Sequence, residues 1–156
     1  MKIRRAEEKD MAGINSLLRQ VSLVHHKGRP DLFKDSSKKY TDDQLKAIIH
    51  DDSRPIFVAA DENGSILGYA FCIFQQHIND NILTDIKTLY IDDLCVDENI
   101  RGQHIGTLLY ESVLEFARTK GCYNVTLNVW SCNTDAMKFY EAKGLKPQKV
   151  GMEVIL

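Results

Sequence analysis

The stretch Tyr90–Leu109, YIDDLCVDENIRGQHIGTLL, decides how this chain is read. Tyr90–Val96 has the apolar content of a buried strand, with two adjacent carboxylates, Asp92 and Asp93, set into it. Asp97–Gln103 is polar, contains Arg101 and Gly102, and runs straight into a helical pattern. A strand, a basic glycine-containing loop and a helix start, in that order, make a place where an anion can sit. The N–H groups of a first helical turn have no intrahelical partner, and the helix dipole adds partial positive charge there. The same residues also suit an ordinary strand–loop–helix connection whose glycine only makes the turn.

Downstream, Gly106–Lys120 carries Leu108, Leu109, Val113, Phe116 and Ala117 on one side and charges on the other, as a surface helix does, and Gly121 ends it. Tyr123–Trp130 alternates like a strand, so Tyr90–Trp130 is a βαβ unit whose two strands are parallel and joined by a right-handed crossover. Asn133 or Thr134 caps a further helix to Lys143, closed by Gly144, and Leu145–Leu156 reads as one or two final strands with a bend at Gly151. Upstream, Lys2–Ala6 is a short strand and Asp10 an N-cap for a helix with Met11, Ile14, Leu17, Leu18, Val21 and Val24 on one face. His25–Ser37 has loop composition, with Leu32 and Phe33 as anchors. Thr41 and Gln44 form a capping-box signature for a helix to Ile49. Pro55–Asp61 and Ile66–Gln76 are strands joined by a hairpin turn at Asn63-Gly64, and Asp85–Val96 follows. The expected fold is α/β: one domain over residues 1–156, antiparallel strands first, a parallel pair at the loop, and helices on both faces.

Composition bounds the function. Of 156 residues, 44% are hydrophobic and 27% charged, ordinary for a globular protein with a real core. A net charge of −2 gives no sign of the clustered Lys and Arg that track nucleic-acid phosphates. No apolar run approaches a membrane span, and the start MKIRRAEEKD lacks the apolar core of a signal peptide. Cys72, Cys95, Cys122 and Cys132 have neither CxxC nor metal-ligand spacing, which points to reduced thiols in the cytoplasm and to no zinc.

Arg101-Gly102-Gln103-His104-Ile105-Gly106-Thr107 puts two glycines and a hydroxyl around the helix start, where successive N–H groups could hold a pyrophosphate. It is neither the Walker pattern nor GxGxxG. Tyr90–Thr107 resembles motif A of the GNAT superfamily of acetyl-CoA-dependent N-acyltransferases, a strand ending in hydrophobic-x-Val that runs into Arg/Gln-x-x-Gly-x-Gly/Ala. Asn133–Leu145 (NTDAMKFYEAKGL) is similar to the same family's Asn-x-x-Ala-x-x-Phe-Tyr-x-x-x-Gly-Phe, and Met152-Glu153 to a pair on its last strand. The order of elements matches over the whole chain. With Gly102 on the pattern's first glycine, Asn99 stands where Arg or Gln is usual and His104 where Gly or Ala is usual.

The resemblance implies an N-acetyltransferase that moves an acetyl group from acetyl-CoA to a primary amine by direct attack in a ternary complex, with no metal. It assigns Leu94, Cys95 and Val96 to backbone contacts with pantetheine and the thioester. Arg101, Gly102, Gln103, His104, Ile105, Gly106 and Thr107 are assigned to the phosphates, with Asn133 nearby. Tyr140 is the expected general acid for the departing thiolate, since a phenol pKa of about 10 lies near a thiol's, about 8.5. For the base, adjacent strand residues point to opposite faces and Asp92 shares parity with Leu94 and Val96, so Asp92 is favoured; Asp93 or a water relay stays open. Asp93 and Phe33 are assigned to the acceptor, which the carboxylates suggest is cationic. A homodimer through the final strands is expected. A non-catalytic acyl-CoA-binding or regulatory domain is the alternative, motivated by His104 and Asn99.

Overall fold

Local chemistry sets most of the elements. A computed structural model describes all 156 residues. Strand β1 (Lys2–Arg5) leads through a 3-10 turn at Glu8–Asp10 into helix α1 (Met11–Gly28). Asp10 is buried there because the Arg4 guanidinium donates to both its oxygens, at 2.7 and 2.9 Å, and the Glu7 amide donates at 2.8 Å. Helix α2 (Asp42–Ile49) opens on the capping box read from the sequence: the Gln44 amide donates to Thr41 Oγ1 at 3.1 Å, and Gln44 Oε1 accepts from the Thr41 amide at 2.9 Å. Strands β2 (Ile56–Ala60) and β3 (Ile66–Gln76) are joined by a turn with Gly64 at φ 82°, a left-handed conformation that favours glycine. Then come β4 (Lys87–Val96), a 3-10 turn at Glu98–Ile100, α3 (Ile105–Thr119), β5 (Asn124–Leu127) and α4 (Thr134–Ala142).

The sheet order is β1-β2-β3-β4-β5, antiparallel through β4 and parallel between β4 and β5. Its two faces have separate cores. Ile14, Leu17 and Leu18 of α1 and Leu45, Ile48 and Ile49 of α2 cover Ile56, Val58, Tyr69 and Phe71. On the other face, Ile105, Leu109, Val113 and Ala117 of α3 cover Phe57, Ala70, Cys72, Leu89 and Ile91, with Phe139 and Tyr140 of α4 alongside. Gly68 makes the crossing possible: a Cβ there would lie 2.8 Å from the Cys95 carbonyl oxygen and 2.9 Å from Leu109 Cδ1.

Three expectations are corrected. Helix α1 runs on to Gly28, so His25 and His26 are helical; His26 Nδ1 lies 2.8 Å from the Phe33 carbonyl oxygen, which ties the helix end to the chain beyond it. Strand β5 stops at Leu127 rather than Trp130, because β4 offers it no partner beyond Ile91. Residues 145–156 form no strand: alternation encodes two faces, but a strand also needs ladder hydrogen bonds, and residues 146–156 make no backbone hydrogen bond within the chain.

Candidate active site

A bulge in β4 builds the centre of the site. Phe71 of β3 faces Asp93 and Cys72 faces Ile91, so Asp92 is the extra residue in the ladder. An extra residue reverses parity. Leu89 and Ile91 pack toward α3, and so do Leu94 and Val96 beyond the bulge. The parity argument that placed Asp92 with Leu94 and Val96, opposite Asp93, therefore fails, and both carboxylates find partners on the α1/α2 side. Asp93 accepts from the Tyr69 hydroxyl at 2.7 Å. Asp92 accepts from Lys39 Nζ at 3.0 Å and from the Tyr40 hydroxyl at 3.4 Å. Tyr40 is held by stacking on Phe71, with centroids 5.7 Å apart.

The two carboxylates differ in environment. Burial raises the Asp93 carboxyl above the ordinary range, and the Tyr69 hydroxyl, Lys39 and His25 bring it only part of the way back. Lys39 is driven the other way: burial disfavours its charge, but Asp93 and the Asp92 hydrogen bond outweigh that and leave it raised. His25 is lowered by burial despite Asp93. The His25 ring lies 4.8 Å from that of Phe33, which meets Trp130 edge-on at 5.3 Å, so Phe33 closes an aromatic wall next to the carboxylates. Gly28 lets that wall close, since a Cβ there would stand 2.8 Å from Cys132 Sγ.

The parallel strands part at the bulge. Pairing between β4 and β5 ends at Ile91 and Leu127, while β4 continues along β3 to Val96. From Asp92 to Val96 the other edge of β4 thus has no strand beside it, the arrangement that lets an extended ligand pair with backbone groups. Cys95 borders this edge by its backbone only. Its side chain turns to α1, with Sγ 3.9 Å from the Leu17 carbonyl oxygen, and burial pushes its thiol up to about 12, which disfavours the thiolate that a nucleophile needs.

The edge leads to the basic loop. Asp97 accepts from the Asn99 amide at 3.0 Å, and Gln20 of α1 takes the Glu98 amide at 3.1 Å, so the loop is anchored to the opposite helix. Gly102 has φ 88° and His104 φ 61°, both left-handed. His104 is the N-cap of α3 and its side chain accepts no capping bond; it is exposed and forms no hydrogen bond. The Ile105, Gly106 and Thr107 amides are consequently open, with Arg101 exposed beside them. At Gly106 the two sequence motifs meet, for a Cβ there would touch Val96 Cγ2 at 3.5 Å and Phe139 Cζ at 3.6 Å.

Helix α4 begins at Asn133, whose Oδ1 accepts from the Ala136 amide at 3.2 Å. It presents Tyr140 between Phe139, at 5.2 Å, and Tyr110, at 6.4 Å. Burial pushes the Tyr140 phenol well above its ordinary range, and the charge of Asp93 adds to the shift. Its hydroxyl hydrogen-bonds no protein atom and still reaches solvent. The residues assigned from the sequence thus gather along one line, from Phe33, Asp92 and Asp93 through the β4 edge (Leu94, Cys95, Val96) to the α3 start, with α4 alongside. Lys39, Tyr40, Tyr69, His25 and Trp130 also belong to it. Sequence reading missed them because their places depend on register across a bulge; only the adjacent His25-His26 pair gave a local signal.

These features define a class: an α/β domain with a splayed parallel pair, a helix start with open amides and two carboxylates beside an aromatic wall. Residues 22–145 match the family model described as Acetyltransferase (GNAT) family, and the chain belongs to that family. It is 38% identical over 58 residues to the thialysine N-epsilon-acetyltransferase of Bos taurus, covering 37% of this chain and 34% of that one. It is 30% identical over 66 residues to the glucosamine 6-phosphate N-acetyltransferase of Arabidopsis thaliana, covering 42% of each. The chain thus spans less than half the length of these two curated relatives. Among solved structures, a tetramutant protein from Bacillus halodurans is 31% identical with a TM-score of 0.95, over 100% of both chains.

Proposed function

We propose that the chain is an N-acetyltransferase that transfers an acetyl group from acetyl-CoA to the primary amine of a cationic acceptor, by direct attack in a ternary complex. The observation that carries this reading is the unpaired β4 edge from Asp92 to Val96, which ends in two carboxylates at one side and in open helix amides at the other. The residues present fit acetyl-CoA: the Ile105–Thr107 amides and Arg101 suit its pyrophosphate, and Leu94 and Val96 offer backbone to an amide-bearing arm. When bound, acetyl-CoA supplies an activated carbonyl and a thiolate leaving group.

The protein's own groups do the rest. An open backbone N–H near Leu94 or Cys95 aims a dipole at the acetyl oxygen as charge develops there. Asp92 attracts the acceptor ammonium, taking it in place of Lys39, the ammonium that it holds already. Asp93, with its raised carboxyl, takes the ammonium proton, because a weaker acid is a stronger base. The amine then bonds to carbon as the carbon–sulfur bond breaks, and the Tyr140 hydroxyl gives its proton to the departing sulfur. As the amide forms, its nitrogen gives up its second proton, through solvent, to the Tyr140 phenolate, and Asp93 releases its own proton to solvent, which closes the cycle with one proton set free. Acceptors of this kind include a lysine-like amine such as thialysine and an amino sugar; the paired carboxylates favour the former, since a sugar phosphate would meet their charge. The four free thiols are consistent with a reducing, cytoplasmic setting.

Thiol release from acetyl-CoA across a panel of amines tests the reading. Amine-dependent release, strongest for diamines and lysine-like acceptors, is expected. Acetyl-CoA binding with no release for any amine would instead support a non-catalytic acyl-CoA-binding domain.

A further inference from the structure

Lys39 is the one lysine whose ammonium meets the carboxylates of the site. Its Nζ lies 3.0 Å from Asp92 Oδ2, and the charge of Asp93 acts on it as well. Lys9, Lys38 and Lys46 pair instead with Glu7, Asp42 and Glu8, and Lys87 Nζ donates to the Lys120 carbonyl. The Lys39 side chain is 40% exposed and that of Asp92 23%, so the pair is reached from solvent. A primary ammonium of the chain itself thus occupies the place that an acceptor ammonium would take.

Its neighbours bring it there. The connection from α1 to α2 has neither helix nor strand, yet it is pinned on both sides of Lys39. Before it, Ser37 Oγ lies 2.8 Å from Ser22 Oγ of α1. After it, Tyr40 stacks on Phe71 and its hydroxyl donates to Asp92 at 3.4 Å. The Lys39 ammonium also lies 5.5 Å from the centre of the Tyr40 ring, a cation–π contact that adds to the ion pair. Asp92 is in turn the first residue of the unpaired β4 edge, and Leu94 follows roughly 7 Å along an extended strand. The flexible lysine stem lets Nζ leave Asp92 for that edge while Ser37 and Tyr40 stay anchored.

We propose that Lys39 is a self-acetylation site: the chain transfers one acetyl group from acetyl-CoA to its own Lys39 Nζ, in cis, and thereby frees Asp92 for a separate acceptor. Asp93 takes one proton from the Lys39 ammonium. The nitrogen bonds to the acetyl carbon as the carbon–sulfur bond breaks, and the electron pair of that bond goes to sulfur. The Tyr140 hydroxyl protonates the sulfur, the new amide nitrogen gives its second proton through solvent to the Tyr140 phenolate, and Asp93 releases its own proton. A free thiol and one proton leave, and Lys39 is a neutral amide that no longer pairs with Asp92 as an ion. Tethering replaces the encounter with a free acceptor, so the step is first order in the chain. It happens once per chain and turns an occupied site into an open one. The inference rests on the acetyl-transfer reading and adds to it an acceptor within the chain.

Incubation of the full chain with acetyl-CoA and no added amine, followed by peptide mass spectrometry and thiol release, tests it. One acetyl group per chain at Lys39 and one equivalent of thiol are expected, at a rate per chain that does not change between about 1 and 100 μM protein. Tyr140→Phe should slow the modification about 10²–10⁴-fold. Lys39→Arg, whose guanidinium stays charged, should release no such equivalent. Protein acetylated beforehand should show a KM for a cationic amine lower by up to about fivefold. Amine-dependent thiol release with Lys39 left unmodified would overturn the proposal and leave the acetyl-transfer reading standing. No release with any amine and no acetyl group at Lys39 would overturn both. Acetyl groups scattered over the surface lysines, at rates that Tyr140→Phe does not alter, would be uncatalysed chemistry and would overturn it. So would a rate per chain that rises with protein concentration, since the acceptor would then belong to another copy.

Discussion

Replacing His104 by glycine isolates the backbone contribution of the loop before α3. At φ 61° and ψ 18° this residue is left-handed, which costs an L-residue about 1–2 kcal/mol relative to glycine. Glycine gives back about 0.5–1 kcal/mol through its greater freedom in the unfolded chain. The net expectation for His104→Gly is a gain of about 0.5–1 kcal/mol, a rise in melting temperature of about 1–4 °C for a domain of this size. His104→Ala keeps the strained dihedral and should give no gain, so the pair separates backbone from side chain. The His104 ring is exposed and forms no hydrogen bond, so its removal should leave acetyl-CoA affinity within about threefold, under about 0.7 kcal/mol. Thermal unfolding and calorimetric titration read both quantities. Equal stabilisation by alanine and glycine would refute the dihedral argument. Tightening by a hundredfold or more in His104→Gly would mean that the imidazole stands in the path of the phosphates.

Three further outcomes follow from the same geometry. The phenol of Tyr140 is raised by burial, so it stays protonated below its raised value, and kcat should show no falling limb up to about pH 10; a loss of activity between about pH 8 and 9 would contradict its role as the acid. Lys39→Met frees Asp92 from an exposed ion pair worth at most about 1 kcal/mol, so KM for a cationic amine should fall by up to about fivefold in steady-state kinetics; a rise would make Lys39 part of acceptor binding. Burial pushes the Asp10 carboxyl up, but the Arg4 guanidinium and the Glu7 amide outweigh it and hold it below the ordinary range. Its contribution to stability is therefore present above the unfolded value of about 3.9 and is lost as pH falls through the depressed folded value. Denaturant unfolding at pH 5 and pH 3 should show that loss, and Asp10→Asn should reduce it.

Legibility in the sequence followed the range of the interaction. Capping at Thr41 and Asn133 and the turn at Gly64 are settled within a few residues, and the structure has them where the sequence put them; the apolar face of α3 follows for Leu109, Val113 and Ala117, while Leu108 is exposed. Tyr90–Leu109 and Asn133–Leu145 carried the fold because each joins an element to the loop that precedes or follows it. The bulge at Asp92 could not be read, since it exists only relative to β3, and without it the facing of both carboxylates was inverted. The continuation of α1 to Gly28 depends on tertiary contacts, from His25 to Phe33 and from Gly28 to Cys132, which outweigh a loop-like composition. At the C-terminus the alternation of Val150, Met152 and Val154 states which side chains want cover without stating what covers them.

The most direct test of the central claim is thiol release from acetyl-CoA with the amine panel, run on the wild type and on Tyr140→Phe. Amine-dependent release by the wild type and a fall of about 10²–10⁴-fold in kcat for the variant, with acetyl-CoA affinity retained, is the predicted result. Acetyl-CoA binding without release by the wild type would contradict the claim of catalysis, and unchanged turnover in Tyr140→Phe would remove Tyr140 as the acid.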